Sequence, residues 1–314
     1  EEVLLPSSTV ERSHPQFSPD GKELAFIEDR NRLMVLNLET KKVRRITDGS
    51  TWYSTSGGFD YAWSPDSKWF TLEFIGNKHD PYSDIGLVSA QGNGEIINLT
   101  NSGYSSGSPS FALDGNAILF TTERYGMRAH ASWGSLDDAM LVFLNQDAYD
   151  KFSLSKEDYE LYKEANSDRK KVAAKDSSKV KDVVVELKNI EDRIVRLTPN
   201  SSNMGSTLIS KDGKTLYYLA STESGRNLWK MDLNKKETKL LHKVDAGWTS
   251  LEMDKEGKTL FILNGKNMQK MNMASDDLKP IKYLAQVKLD LSAEREYMFD
   301  HVYKQQQLSL IHIS

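Results

Sequence analysis

The string Gly103-Tyr104-Ser105-Ser106-Gly107 has the G-x-S-x-G form of a hydrolase nucleophile. Such a serine works only on a strained turn between a strand and a helix, where its hydroxyl stands exposed. Here the residues on both sides read as strand, so the string is a loop rather than an elbow. The six histidines are His14, His79, His130, His242, His301 and His312. No two stand four apart on a helix and no H-E-x-x-H occurs, so no metalloprotease pattern exists, and neither metal nor cofactor is expected. Without cysteine there is no thiolate, disulfide or zinc–thiolate chemistry. What remains is recognition. Trp52, Tyr53, Tyr104 and Trp248 offer flat faces that contact varied side chains at low entropic cost. Arg128, His130 and Trp133 form a second set, whose donors could hold a peptide carboxylate or brace a neighbouring segment. These seven are the candidate peptide-contacting residues.

The elements that carry them repeat. Residues 14–27 read HPQFSPDGKELAFI, 60–75 DYAWSPDSKWFTLEFI, 108–121 SPSFALDGNAILFT, 206–219 STLISKDGKTLYYL and 250–263 SLEMDKEGKTLFIL. In Ser18-Pro19-Asp20-Gly21, Pro19 presets φ, Asp20 bonds its own downstream backbone and Gly21 accepts the positive φ that closes the turn. Ser67 and Glu256 stand where this pattern is broken. The runs that follow do not alternate apolar with polar, so these strands need cover on both faces. A second short strand, a turn and a closing strand follow each time, as in 33–36, 43–47, 85–88, 96–100, 228–231 and 238–241. The turn acids Asp20, Asp66 and Asp114 lie 46 and 48 residues apart, and Asp212 and Glu256 lie 44 apart. Four short strands per unit at this period predict an all-β fold, a β-propeller of about five four-stranded blades over residues 1–291. The aromatic linkers into the blades then gather near one mouth of the central hole.

Two segments break the period. Asp114 and Asp212 are 98 residues apart, one blade plus about 50 extra residues, and a helical insertion is placed at about 147–182. Residues 147–192 hold 22 charged residues and no glycine or proline, and the spacing predicts a solvated helical excursion with Ser155 as an N-cap. A docking arm is the alternative reading. Residues 292–307 read as a helix with Ser292 as its cap and Met298/Val302 and Phe299/Tyr303 as i,i+4 pairs. Residues 308–314 (LSLIHIS) match neither element and read as a non-native tail.

The SPDG turns and closing "IT/LT" strands resemble TolB-type propeller repeats. Residues 123–135 (ERYGMRAHASWGS), the charged insert after them, and 289–303 (LDLSAEREYMFDHVY) resemble the bacterial Tricorn protease homologues, serine peptidases of the C-terminal-processing type. The resemblance implies a propeller within a ring of about seven blades, leading through the terminal helix into core and PDZ domains that hold the catalytic residues. It also implies a cytoplasmic setting, with a periplasmic one left open. On it, the chain gates peptides or unfolded polypeptides for a peptidase, is not itself catalytic, and can stand in a homo-oligomer. A stand-alone TolB-like scaffold that binds partner proteins, and the propeller of a prolyl-oligopeptidase-type enzyme, are the alternatives. A net charge of −4 argues against general nucleic-acid binding. The apolar run 139–144 is far short of the roughly 20 residues that span a bilayer.

Overall fold

The computed structural model describes residues 3–308 apart from 7, 9, 54–56, 77–78, 93, 129–133, 166–179, 222–224, 247–248 and 266. Its strands form five antiparallel four-stranded sheets, each in simple up-and-down order. Blade one is β1 (Arg12–Phe17), β2 (Glu23–Glu28), β3 (Arg32–Asn37) and β4 (Val43–Arg45). Blade two is β5 (Tyr61–Trp63), β6 (Trp69–Phe74), β7 (Asp84–Ser89) and β8 (Ile97–Asn98). Blade three is β9 (Ser106–Ala112), β10 (Ala117–Thr122), β11 (Asp138–Phe143) and β12 (Ile194–Arg196). Blade four is β13 (Asn203–Ile209), β14 (Thr215–Ser221), β15 (Arg226–Asp232) and β16 (Glu237–Ala246). Blade five is β17 (Thr249–Met253), β18 (Thr259–Asn264), β19 (Asn267–Asn272) and β20 (Leu278–Ile281).

The unbroken apolar runs follow from the stacking. In blades three and four the second strand sends alternate side chains into two different seams. On β10, Ala117 and Leu119 enter the core shared with blade four, while Ile118 and Phe120 enter the core shared with blade two. On β14, Leu216 and Tyr218 face blade three, while Tyr217 and Leu219 face blade five. Blades one and two share Ala25, Ile27, Phe70, Leu72 and Phe74. The outer face of blade one is instead covered by Leu4 and Leu5 over Leu24, Phe26 and Leu36.

The turns work as their residues suggest. Ser18 Oγ donates to Asp20 Oδ1 (2.7 Å), which also accepts from Lys22 N (3.1 Å), and Ser18 Oγ accepts from Glu23 N (3.0 Å). Blades two and four repeat this with Ser64/Asp66 and Ser210/Asp212. Ser67 keeps the geometry of Gly21 by adopting φ 60. Burial pushes the Asp20 and Asp212 carboxyls up, but the serine hydroxyls and the following lysines outweigh it and hold both below the usual range.

A second clasp joins the third strand of a blade to its closing strand. Asp84, at the start of β7 and fully buried, accepts from Thr100 Oγ1 (2.8 Å), Ser102 N (2.8 Å) and Asn98 Nδ2 (2.9 Å), with His79 Nδ1 at 3.2 Å. Asp138, at the start of β11, accepts from Thr198 Oγ1 (2.8 Å), Ser201 Oγ (2.7 Å) and Arg196 Nε (3.0 Å).

The insertion leaves blade three between β11 and β12. It begins as two helices, α1 (Gln146–Ser153) and α2 (Lys156–Ala165). Asn145 caps the first through Ala148 N (3.0 Å), and Ser155 caps the second through Asp158 N (3.1 Å). Phe152 and Tyr149 pack on Phe143 at 5.0 and 5.8 Å between ring centroids. The returning chain crosses to blade two, where Val183 N donates to Asp66 Oδ2 (2.8 Å) and Lys68 pairs with Asp182 (2.6 Å). Arg193 seals the base. It is 3% exposed, and its guanidinium donates to the carbonyls of Phe143, Lys188 and Glu186. The insert therefore braces blades two and three at the end of the propeller that holds the β9–β10 turn.

The terminal helix is α3 (Leu291–Leu308). Its cap is Asp290, not Ser292: Asp290 Oδ1 accepts from Ser292 N (3.0 Å) and Ala293 N (3.1 Å). A carboxylate suits the positive end of a helix better than a hydroxyl, so the start falls two residues earlier than expected. Among the described residues no helix is long and apolar enough to cross a membrane.

Candidate functional site

The five inner strands β1, β5, β9, β13 and β17 enclose a cavity of about 1010 Å³. Its wall includes His14 and Gln16 from blade one, Asp60 and Tyr61 from blade two, Ser108 and Phe111 from blade three, Ser206 and Leu208 from blade four, and Ser250 and Glu252 from blade five. Asp137 and Arg226 also reach it. Adjacent inner strands are tied by side chains: Gln16 Nε2 donates to Tyr61 O (3.0 Å), Trp63 Nε1 to Gln16 O (3.2 Å), and the Tyr61 hydroxyl to His14 O.

The seam between blades two and three brings two carboxylates together. Ser108 N donates to Glu73 Oε1 (2.7 Å) and Ser108 Oγ to Asp60 Oδ2 (3.1 Å). Burial, reinforced by the Asp60 charge, pushes the Glu73 carboxyl up to about 7 against the pull of the Ser108 amide. Burial and the nearby Glu123 and Asp138 likewise push Asp137 up to about 6, partly offset by Arg226. Gly107 makes the Glu73 contact possible. A Cβ there would lie 2.5 Å from Glu73 Oε1. Gly107→Ala is therefore expected to displace the carboxylate and lower unfolding free energy by about 1–3 kcal/mol in a urea titration, whereas Gly103→Ala, with nothing within 4 Å, changes it little.

The four sequence-selected residues that the structure describes lie outside this wall. Trp52 Nε1 donates to Gly58 O (2.8 Å) and its ring packs 5.7 Å from Phe59 and 6.0 Å from Tyr53. The Tyr53 hydroxyl donates to Asp80 Oδ1, and burial with that carboxylate pushes the phenol up to about 12. The Arg128 guanidinium lies over the Tyr104 ring at 5.4 Å. The structure thus joins Trp52 with Tyr53 and Tyr104 with Arg128, and none of the four walls the cavity. His130, Trp133 and Trp248 lie outside the described residues. Ser105 precedes β9 directly, with its carbonyl accepting from Glu123 N (3.0 Å), and no helix follows it. Among the described residues no group of three or more His, Asp or Glu side chains gathers as a metal site.

No family model matches the chain. A curated relative, the putative Tricorn-like protease C-terminal subunit of Sulfurisphaera tokodaii, is 26% identical over 311 residues, which covers 92% of this chain and 33% of that one. The crystal structure of the tricorn protease superposes with a TM-score of 0.66 over 96% of this chain and 29% of that one, at 12% identity. The chain is a Tricorn-like β-propeller. The likeness does not divide bacterial from archaeal forms. The Tricorn-like propeller spans about a third of the length of its curated relative. It also shares its fold with a putative TolB from Agrobacterium tumefaciens, at a TM-score of 0.56 over 87% of this chain and 81% of that one, with 14% identity.

Sequence reasoning missed the charged residues of the Tricorn-like propeller's wall and seams: Asp60, Glu73, Asp137, Arg226 and Glu252. One signal pointed to Asp60 and to its partner Ser108. Asp60 and Ser108 hold equivalent places at the start of two aligned repeats, where an inner strand first meets the hole. Glu73 carried no such mark, because its neighbours on β6 are apolar.

Proposed function

We propose that this propeller is the substrate-gating module of a Tricorn-like serine peptidase that degrades peptides, and that the chain does not hydrolyse them itself. The observation that carries the reading is the cavity of about 1010 Å³, bounded by inner strands of all five blades. A hole walled by paired strands passes an extended chain and blocks a folded one. Trp52, Tyr53 and Tyr104 sit on linkers between blades, Arg128 sits on the loop between β10 and β11, and together they act as a peptide-contacting rim. His130, Trp133 and Trp248 complete that proposed rim. The α3 helix supports a link to a following core domain, since Tyr297, Phe299 and Val302 are 69%, 73% and 63% exposed. Large apolar side chains left this open normally meet a partner surface. A PDZ domain and a second core domain would follow, and the blade ring would be completed to about seven.

Fluorescence anisotropy with a labelled unfolded polypeptide tests the gate. Ser110→Trp, which fills space on the β9 wall, is expected to weaken binding about tenfold. Equal binding by the plugged variant sinks the gating reading. Fluorogenic peptides should show no turnover, and labelling of Ser105 by a serine-reactive probe would overturn the non-catalytic assignment. The TolB likeness over 81% of that chain favours one second reading, a scaffold that binds folded proteins. Capture of a folded partner that Ser110→Trp leaves intact would support it.

A further inference from the structure

The insert and blade four enclose a second cleft, of about 250 Å³, at the end of the propeller away from the aromatic linkers. Six lysines converge on it from four separate segments: Lys151 on α1, Lys156 and Lys163 on α2, Lys214 in the β13–β14 turn, and Lys235 and Lys236 in the β15–β16 turn. Among the described residues, the only acids in the same wall are Glu160 and Asp232, and both are already engaged. Glu160 pairs with Lys163 (2.7 Å), and Asp232 Oδ1 accepts from Asn234 N (3.0 Å) and Lys235 N (2.9 Å). Lys214 leans on Asp212 (3.5 Å). Among the described residues, Lys156, Lys235 and Lys236 have no carboxylate within 4.0 Å, and Lys151 instead faces the Tyr162 ring at 5.7 Å. The wall thus carries an excess of four positive charges on a chain whose net charge is −4.

We infer that this cleft docks an acidic, extended segment of a partner polypeptide. Charge complementarity sets the sign of the occupant. Lys151, Lys156, Lys214, Lys235 and Lys236 are exposed, so their ammonium groups stand open to an incoming carboxylate. The placement of the lysines sets the class: they stand on both sides of the cleft, on the insert and on blade four, and an extended strand sends successive side chains to opposite faces. A nucleic acid fits less well, because it needs a continuous basic track. Here exposed Glu157, Asp158 and Glu164 on α2, and exposed Glu237 on blade four, break the positive field just outside the cleft. The site is independent of the central cavity and survives failure of the gating proposal.

Anisotropy with fluorescein-labelled hexaglutamate tests it directly. Wild-type protein should bind, and binding should weaken as salt rises. The pair Lys156→Glu/Lys235→Glu should weaken binding at least about tenfold, since each exposed charge pair is worth about 0.2–1 kcal/mol and reversal adds repulsion. Lys156→Gln/Lys235→Gln should show a smaller loss with an unchanged thermal midpoint, which separates docking from misfolding. Lys279→Glu on β20 is the control and should bind as wild type does. No binding by wild type, or binding that both lysine pairs leave unchanged, overturns the inference. Tighter binding of an oligothymidylate of equal length through the same lysines overturns the peptide assignment in favour of nucleic acid.

Discussion

Replacing Glu73 with glutamine is expected to stabilise the propeller at about pH 8 by about 2–3 kcal/mol. Burial and the Asp60 charge push this carboxyl from 4.5 to about 7 in the folded chain. Between those values the native state holds a proton that the unfolded chain has released. Stability therefore falls as pH rises through that window, and above about 7 the full cost of burying the charge is present. Glutamine keeps the acceptor for Ser108 N and removes the charge beside Asp60. Asp137 behaves alike over 3.8 to about 6, so Asp137→Asn should remove the lower part of the slope. The turn acids Asp20 and Asp212 act in the opposite sense. Their carboxyls are held low, so their contribution is present above the unfolded value of 3.8 and is lost as pH falls below it. The wild-type optimum should then lie at about pH 4. Urea midpoints across pH read all of this, and a Glu73→Gln protein less stable than wild type at about pH 8 would contradict it.

Turns and blades were legible because their signals are local. A serine, an acid and a positive-φ position within four residues close a hairpin without help, and an apolar run with no polar alternation can only be a strand covered twice. The insertion was legible because it broke a regular period. Long-range polar chemistry was not. Glu73 acquires its character from burial, from Asp60 just before β5 and from Ser108 on β9, and it reaches Ser108 only because residue 107 has no side chain. Arg193 looked like one more charge in a charged insert, yet it is buried against three carbonyls. Trp52 lies in the linker between β4 and β5. Whether it packs or contacts a ligand depends on Phe59 and Gly58, whose places are set by the turn of the chain between them.

Asp84→Ala should be the most damaging single change outside the apolar core, lowering unfolding free energy by about 3–5 kcal/mol. The carboxylate is fully buried and accepts from a hydroxyl, an amide of the side chain and a backbone N–H, with the His79 ring alongside. Alanine removes the acceptor but leaves Thr100, Asn98 and Ser102 where water cannot replace it. Those donors belong to the closing strand and the linker that follows it, so the loss should loosen β8 and the entry to blade three together. Asparagine has a similar shape and keeps one acceptor oxygen, and Asp84→Asn should cost clearly less than alanine. Asp138→Ala should match Asp84→Ala, because Thr198, Ser201 and Arg196 repeat the arrangement one blade on. Blade one is the internal contrast. Arg32 stands at the equivalent position of β3, its Nε is buried without a partner, and Thr47 Oγ1 accepts from Leu33 N (2.9 Å) with no aspartate beneath it. Truncating Arg32 should therefore cost much less than truncating either aspartate. Guanidinium titrations of the four variants order these effects. Equal losses for Arg32→Ala and Asp84→Ala would show that the blade ends are held by packing rather than by the aspartate clasp.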